Sequence, residues 1–154
     1  MIDFYGICNA LAARFAPGTL TTPAGASAIR ASYGQLPKNV PAVPCVLLDV
    51  QSGTVVPNVG QWDHRASIDA LFLLAKRPGD PARVDAQRQR WLPTLLSATQ
   101  GQIKLGLGAQ AGYEVKSALP TSWEFIEVAV GADEYDAIRI TFEVWIKENV
   151  SLTP

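Results

Sequence analysis

Histidine, methionine and cysteine are nearly missing from this chain: His64, Met1, Cys8 and Cys45 are all it has of them. One histidine and two distant cysteines cannot assemble the usual zinc ligand sets. Cys8 (I-C-N) and Cys45 (P-C-V) sit among apolar neighbours and read as buried thiols. A disulfide between them is possible, but no spacing demands it. An excess of one charge is also lacking. Thirteen basic and 14 acidic residues give a formal charge of -1, without the basic surplus of a dedicated nucleic-acid binder. No apolar run approaches the roughly 18–20 residues of a membrane-spanning helix. The opening MIDFYGICNALAARF has neither a basic n-region nor a compact apolar h-region, so no signal peptide is predicted.

Catalytic signatures are absent as well. No G-x-S-x-G elbow offers a nucleophile to His64. Asp63 is adjacent to it, and neighbours on a strand point to opposite faces. The glycines at 101, 106, 108 and 112 form neither a dinucleotide fingerprint nor a P-loop. Glu124 and Glu127, three apart in a predicted strand, face opposite ways and make a poor carboxylate pair. Asp133, Glu134 and Asp136 do not spell an EF-hand loop. No catalytic, cofactor-binding or metal-binding residue is therefore expected, and no cofactor.

What is present is a chain of 154 residues with 48% hydrophobic residues, enough for one domain over 1–154 with its own core. Residues 3–15 predict a helix: Phe4, Ile7, Cys8, Leu11 and Phe15 form one apolar stripe, Asp3 suits the cap and Pro17-Gly18 ends it. Residues 16–41, rich in Gly, Pro, Ala, Ser and Thr, predict a loop with a turn of helix near 25–31. A loop of that length must either cover the core or be ordered by a neighbour. Residues 42–50 predict a short strand, followed by a turn at Ser52-Gly53 and a projecting hairpin or irregular arm over 51–64.

The clearest central strand is 66–76. Ile68, Ala70, Phe72 and Leu74 line one face, and Ser67, Asp69, Leu71 and Leu73 the other. After the turn RPGDP, 81–99 predicts a helix capped by Asp80 and opened by Pro81, kinked or broken near Pro93 with a second short helix beyond. Residues 101–112 predict a mobile loop or short strand. Strands follow at 113–118, 123–130 and 137–147, with GADEYD as the last turn and a frayed tail, ENVSLTP. In the final strand Ile138, Ile140, Phe142, Val144 and Ile146 point inward. Trp145 lies on the polar face, where a helix, a loop, a neighbouring subunit or a second covered face would have to shield it. The expected fold is α+β: a mixed or mostly antiparallel sheet packed by the N-terminal helix and a kinked central helix.

Charge is segregated along the chain. Residues 65–104 carry seven basic and three acidic groups, whereas 105–154 carry three basic and eight acidic. Such asymmetry suits head-to-tail association of identical subunits. Arg77, Arg83, Arg88 and Arg90 could also touch passing DNA, without any motif for reading its sequence.

The stretch WDHRASIDALFLLAKRPGD followed by ARVDAQRQRWLPTLL, together with the order of elements, resembles the tail terminator and minor tail proteins of long-tailed bacteriophages. The resemblance implies a virion structural protein, assembled in the host cytoplasm. It would form a hexameric ring on the tail tube, end tube polymerisation and dock to the head connector or neck proteins. It further implies contact with the tube protein, non-specific contact with DNA in the lumen, no membrane and no catalytic residue. Neck, tail-completion and tube components of the same particle share related architecture and are the nearest alternative. By region, the candidate interface residues are Val55, Val56, Trp62 and His64 in the arm, Arg83, Arg88 and Arg90 on the basic helix, Asp133 and Glu134 in the acidic turn, and Trp145. Readings of other classes are a hydrolase using His64 with an acidic partner, and a monomeric peptide-binding module with an apolar groove.

Overall fold

The computed structural model describes residues 1–151. The elements run α1 (Phe4–Ala13), β1 (Ala31–Tyr33), β2 (Cys45–Asn58), β3 (Gln61–Lys76), α2 (Pro81–Leu96), β4 (Ala109–Gln110), β5 (Tyr113–Val130) and β6 (Asp133–Asn149). All six strands join one mixed sheet in the order β1-β2-β3-β6-β5-β4. Only β1 and β2 are parallel, and the other four pairs are antiparallel. The fold is a single α+β domain, and no helix among the described residues is long and apolar enough to cross a membrane.

Both helices lie on one face of the sheet. Ile7, Cys8 and Leu11 of α1 and Trp91 and Leu95 of α2 close over Ile68, Ala70 and Phe72 of β3 and the inward row of β6 from Ile138 to Ile146. Phe15 meets Phe142 edge-on at 6.0 Å, and Phe72 meets Trp91 at 5.1 Å. The opposite face divides in two. At one end Leu71, Leu73, Tyr135 and Ala137 form a smaller core beneath Tyr33, Val40 and Val43. At the other end the face is open and polar. The expected alternation of β3, with one end buried on both faces, is thus present.

Both predicted caps form: Asp3 accepts from Gly6 N at 2.9 Å, and Asp80 accepts from Ala82 N at 3.1 Å. Phe4, however, lies 36% exposed at the rim of the α1 stripe. The 16–41 segment covers the core. Ile29 is buried, Trp91 Nε1 donates to Ser27 O at 3.2 Å, and Gln87 and Arg90 both donate to Gly25 O. A turn at 24–26, with Ala26 N donating to Pro23 O, leads into 27–30, which approach β1 without forming the turn of helix expected there.

Other departures share one physical cause: strands tolerate irregular residues as bulges. Ser52-Gly53 is not a turn. It lies just past a register shift between Val50 and Ser52, and β2 runs on to Asn58. The reversal is a two-residue hairpin loop at Val59 and Gly60, where Gly60 takes φ +78°. The central strand accordingly starts at Gln61. The two strands expected at 113–118 and 123–130 are one, β5, carrying shifts between Val115 and Ser117 and between Pro120 and Ser122. The GADEYD turn shrinks to Gly131 and Ala132, so Asp133 and Glu134 belong to β6. Finally, α2 continues through Pro93 as one helix rather than two. Trp91 and Leu95, fully buried on either side, hold it there, and the donor Pro93 lacks is lost only near the helix end. Residues 101–112 form turns and the two-residue β4. Of the expected frayed tail, 148 and 149 are strand, and 152–154 lie outside the described residues.

Candidate assembly surface

The arm is the distal half of the β2–β3 hairpin. Residues 50–58 of β2 are exposed throughout, Val55 and Val56 about half so. Pairing sets their sides. Val55 stands opposite His64 and faces the helix layer, whereas Val56 stands opposite Asp63 and faces the open side. On the helix side Trp62 and His64 are half-buried, with their rings 6.5 Å apart. His64 Nε2 lies 2.8 Å from Glu148 Oε2, which ties β3 to β6 near the sheet end. Among the described residues no serine, threonine or cysteine hydrogen-bonds His64. The groove beside it, of about 310 Å³, is lined largely by Phe4, Val50, Val55 and Ala66. Asp63 points the other way, as a strand neighbour must.

Trp145 has its shield within the chain. Its Nε1 donates to Asp63 Oδ1 at 3.0 Å, and the Arg65 guanidinium stacks 4.3 Å from the ring centroid, with Lys147 Nζ at 5.7 Å. Neighbours across on β3 and along β6, rather than a helix or loop, cover it.

Part of the segregated charge is paired inside the subunit. Antiparallel pairing of β3 with β6 places Lys76 opposite Tyr135, which carries the basic turn onto the acidic one. Lys76 bridges Asp133 at 3.1 Å, Arg77 bridges Glu127, and Arg139 bridges Glu124. Glu134 is exposed, and its carbonyl accepts from Arg77 N at 2.8 Å. Arg88 is turned inward at 15% exposure. It donates to Ile126 O at 2.8 Å and Ala137 O at 3.3 Å, and lies 3.7 Å from Asp136. Its guanidinium sits 5.3 Å from the Phe125 ring. Arg88 is a strut between α2 and the sheet and is not available to DNA. Arg90 is held by Gly25 O, and Arg83 lies exposed beside a cavity shared with Arg30 and Lys76. These pairs bring part of the charge of the two segments together within one subunit, while Arg83 and Glu134 stay exposed.

The two thiols occupy opposite sides of the sheet, Cys8 under the helices and Cys45 in the smaller core. Both are free, and burial pushes Cys45 up to about 11. Among the described residues no group of three or more His, Cys, Asp or Glu is placed to hold a metal ion.

A group of exposed apolar residues that sequence reasoning missed lies on β5. Trp123 is 50% exposed, Phe125 packs beside it at 5.3 Å, and Leu119 is exposed on the other face. Their signal was the alternation W-E-F in an edge strand. The sheet is in fact open on both sides. β1 covers β2 only at 45–47, leaving 48–58 without an outer strand among the described residues. β4 covers β5 only at 113–114, and two loop carbonyls take Val115 N and Ala118 N, leaving 119–130 likewise open. Of the expected interface residues, Val55 and Val56 lie on the first edge with opposite facings, and Trp62 and His64 sit one strand in, on β3. Arg88 and Trp145 are internal supports, Arg83 and Arg90 lie on α2, and Asp133 and Glu134 stand at the far end of β6.

No protein-family model matches the sequence, and no curated protein matches it.

Proposed function

We propose that this chain is a structural virion protein that self-associates head-to-tail into a closed ring, serving as the tail terminator of a long-tailed bacteriophage. One observation carries the reading. A single sheet ends in two unpaired edges on opposite sides, and exposed valines flank one while exposed aromatic rings flank the other. Monomeric β proteins blunt such edges, whereas a subunit with two different sticky edges joins its own kind heterologously and closes when the rotation allows. The resemblance of 62–96 to tail terminators supplies the particle. The expected partners are copies of the chain, the tube protein, and the connector or neck. Docking at a head–tail junction asks one ring face to match the tube end and the other to fail as a template for a further layer. Weak contacts repeated around a ring give firm attachment.

The test is mass determination in solution with negative-stain imaging. Closed rings of fixed copy number support the terminator, and long cylinders support the tube component instead. A monomer at every concentration refutes both. Deleting 51–60 removes exposed strand and the hairpin loop; Val50 stands opposite Ile68, so 61–67 must leave β6 to close the shortened hairpin, and a folded, poorly assembling subunit is expected.

A further inference from the structure

We infer that 48–56 of β2 in one copy docks antiparallel along 122–130 of β5 in the next, so that neighbouring sheets run on as one. The inference rests on the head-to-tail reading above and names the two surfaces that make its joint.

Strand direction comes first. β2, β3, β6 and β5 lie side by side and each pair is antiparallel, so β5 runs opposite to β2. Leu48 lies level with Trp123 across the sheet, through Ala70 and Ile140, so a second copy turned about an axis inclined to the strands, and displaced seven residues along them, brings its β5 beside β2 in the antiparallel sense, the more stable pairing.

The usable lengths also agree. On β2 the segment begins where β1 stops and ends before Pro57, which lacks a ladder donor. On β5 it begins past the shift at Pro120 and Ser122 and ends at Val130, before the turn. Neither segment carries the proline or lysine of a protected edge, and the one interruption is the shift between Val50 and Ser52 in the first. The first has no Pro, Lys or Arg and a single charge, Asp49. The second has only Glu124 and Glu127, each already bridged to an arginine of its own subunit.

Side chains complete the match. Val50, Gly53 and Val55 stand opposite Ile68, Ala66 and His64, which puts them on the helix side. Trp123 and Phe125 stand opposite Ile140 and Ile138, on that same side. The joint sets large rings against branched and small residues, with Gly53 leaving room for a ring. Two β5 edges would crowd rings on rings, and two β2 edges would leave every ring in water. A second copy offering the other edge is the occupant that covers both.

The experiment uses Val55→Lys and Trp123→Lys in the full chain, each checked for native far-UV circular dichroism. V55E and W123S serve where a lysine variant fails to fold. Each variant alone should lose rings and sediment as a monomer, its joint weakened by about tenfold or more. An equimolar mixture should give a one-to-one dimer by native mass spectrometry, because the first variant keeps its β5 edge and the second its β2 edge. Dimers formed by either variant alone would overturn the heterologous joint. Rings that persist in both variants would overturn the edge assignment while leaving the ring reading intact. A wild-type chain that stays monomeric would remove both.

Discussion

Replacing Arg88 by alanine separates a structural arginine from a DNA-facing one. The side chain makes two charged hydrogen bonds to backbone carbonyls, Ile126 O at 2.8 Å and Ala137 O at 3.3 Å, and approaches Asp136 at 3.7 Å. Charged hydrogen bonds contribute about 1.5–3 kcal/mol each. Its buried Nε has no partner, which takes back about 1–3 kcal/mol. Arg77 Nε, 4.0 Å from Asp136, remains to hold that carboxylate. The net loss for Arg88→Ala is therefore about 2–4 kcal/mol. With a urea slope of about 2 kcal/mol/M, the unfolding midpoint should fall by about 1–2 M. Arg83→Ala, exposed on the same helix, should stay within about 0.5 kcal/mol of wild type. Equilibrium urea unfolding followed by tryptophan fluorescence reads both. Equal midpoints for the two variants would refute the assignment of Arg88 as a strut.

Three further outcomes follow from single contacts. Cys45 ionises near 9.0 when unfolded and near 11 when folded, so the thiol contributes full stability below pH 9 and loses it as pH rises from 9 to about 11. Subtracting the stability–pH profile of Cys45→Ala from that of wild type should isolate a decline confined to that window, and a flat difference would contradict the buried thiol. Gly131 combines φ +65° with a position where a Cβ would stand 3.1 Å from Lys38 O, whereas Gly18 has φ +82° and open space. Gly131→Ala should then cost more than the roughly 1–2 kcal/mol expected of Gly18→Ala, as differential scanning calorimetry of the pair would show. Asp80→Ala removes the cap of α2 and should cost about 1 kcal/mol, while Asp80→Asn should retain most of it.

The parts of the fold legible in the sequence were those governed by local periodicity and capping. The stripe of α1, the caps Asp3 and Asp80, the two-sided burial at one end of β3 and the inward row of β6 all follow from local sequence alone. Strand continuity was not legible, because Ser52-Gly53 and Pro120-Thr121 carry turn composition and act as bulges once a partner strand holds the chain on each side. The role of the charged stretches was hidden for a related reason. They are distant in sequence, and only the β3–β6 register reveals that Lys76 and Arg77 reach Asp133 and Asp136. At the candidate surface the arm was visible as exposed valines, but the partner edge on β5 was not. Trp123 and Phe125 look like core residues until the sheet order leaves their strand at the margin.

Whether such a subunit makes a ring or a fibre depends on geometry that the joint alone does not set. A heterologous contact between identical copies repeats until the accumulated rotation closes it, and a small error in that rotation yields an open filament. Here the features that interrupt the free edges also limit the joint. Pro57, the shift at Val50 and Ser52, and the shift at Pro120 and Ser122 stop either edge from pairing along its whole length and increase the local twist. A short, twisted joint turns each copy relative to the last, whereas a long flat one would favour an extended sheet. In the proposed joint the bulges therefore set the turn between copies. Straightening the first of them by deleting Gln51 would remove the extra residue and put 52–58 in the register that 45–50 already has. It should also lengthen the flat edge and shift the products from closed rings toward open filaments, which negative-stain images would distinguish directly.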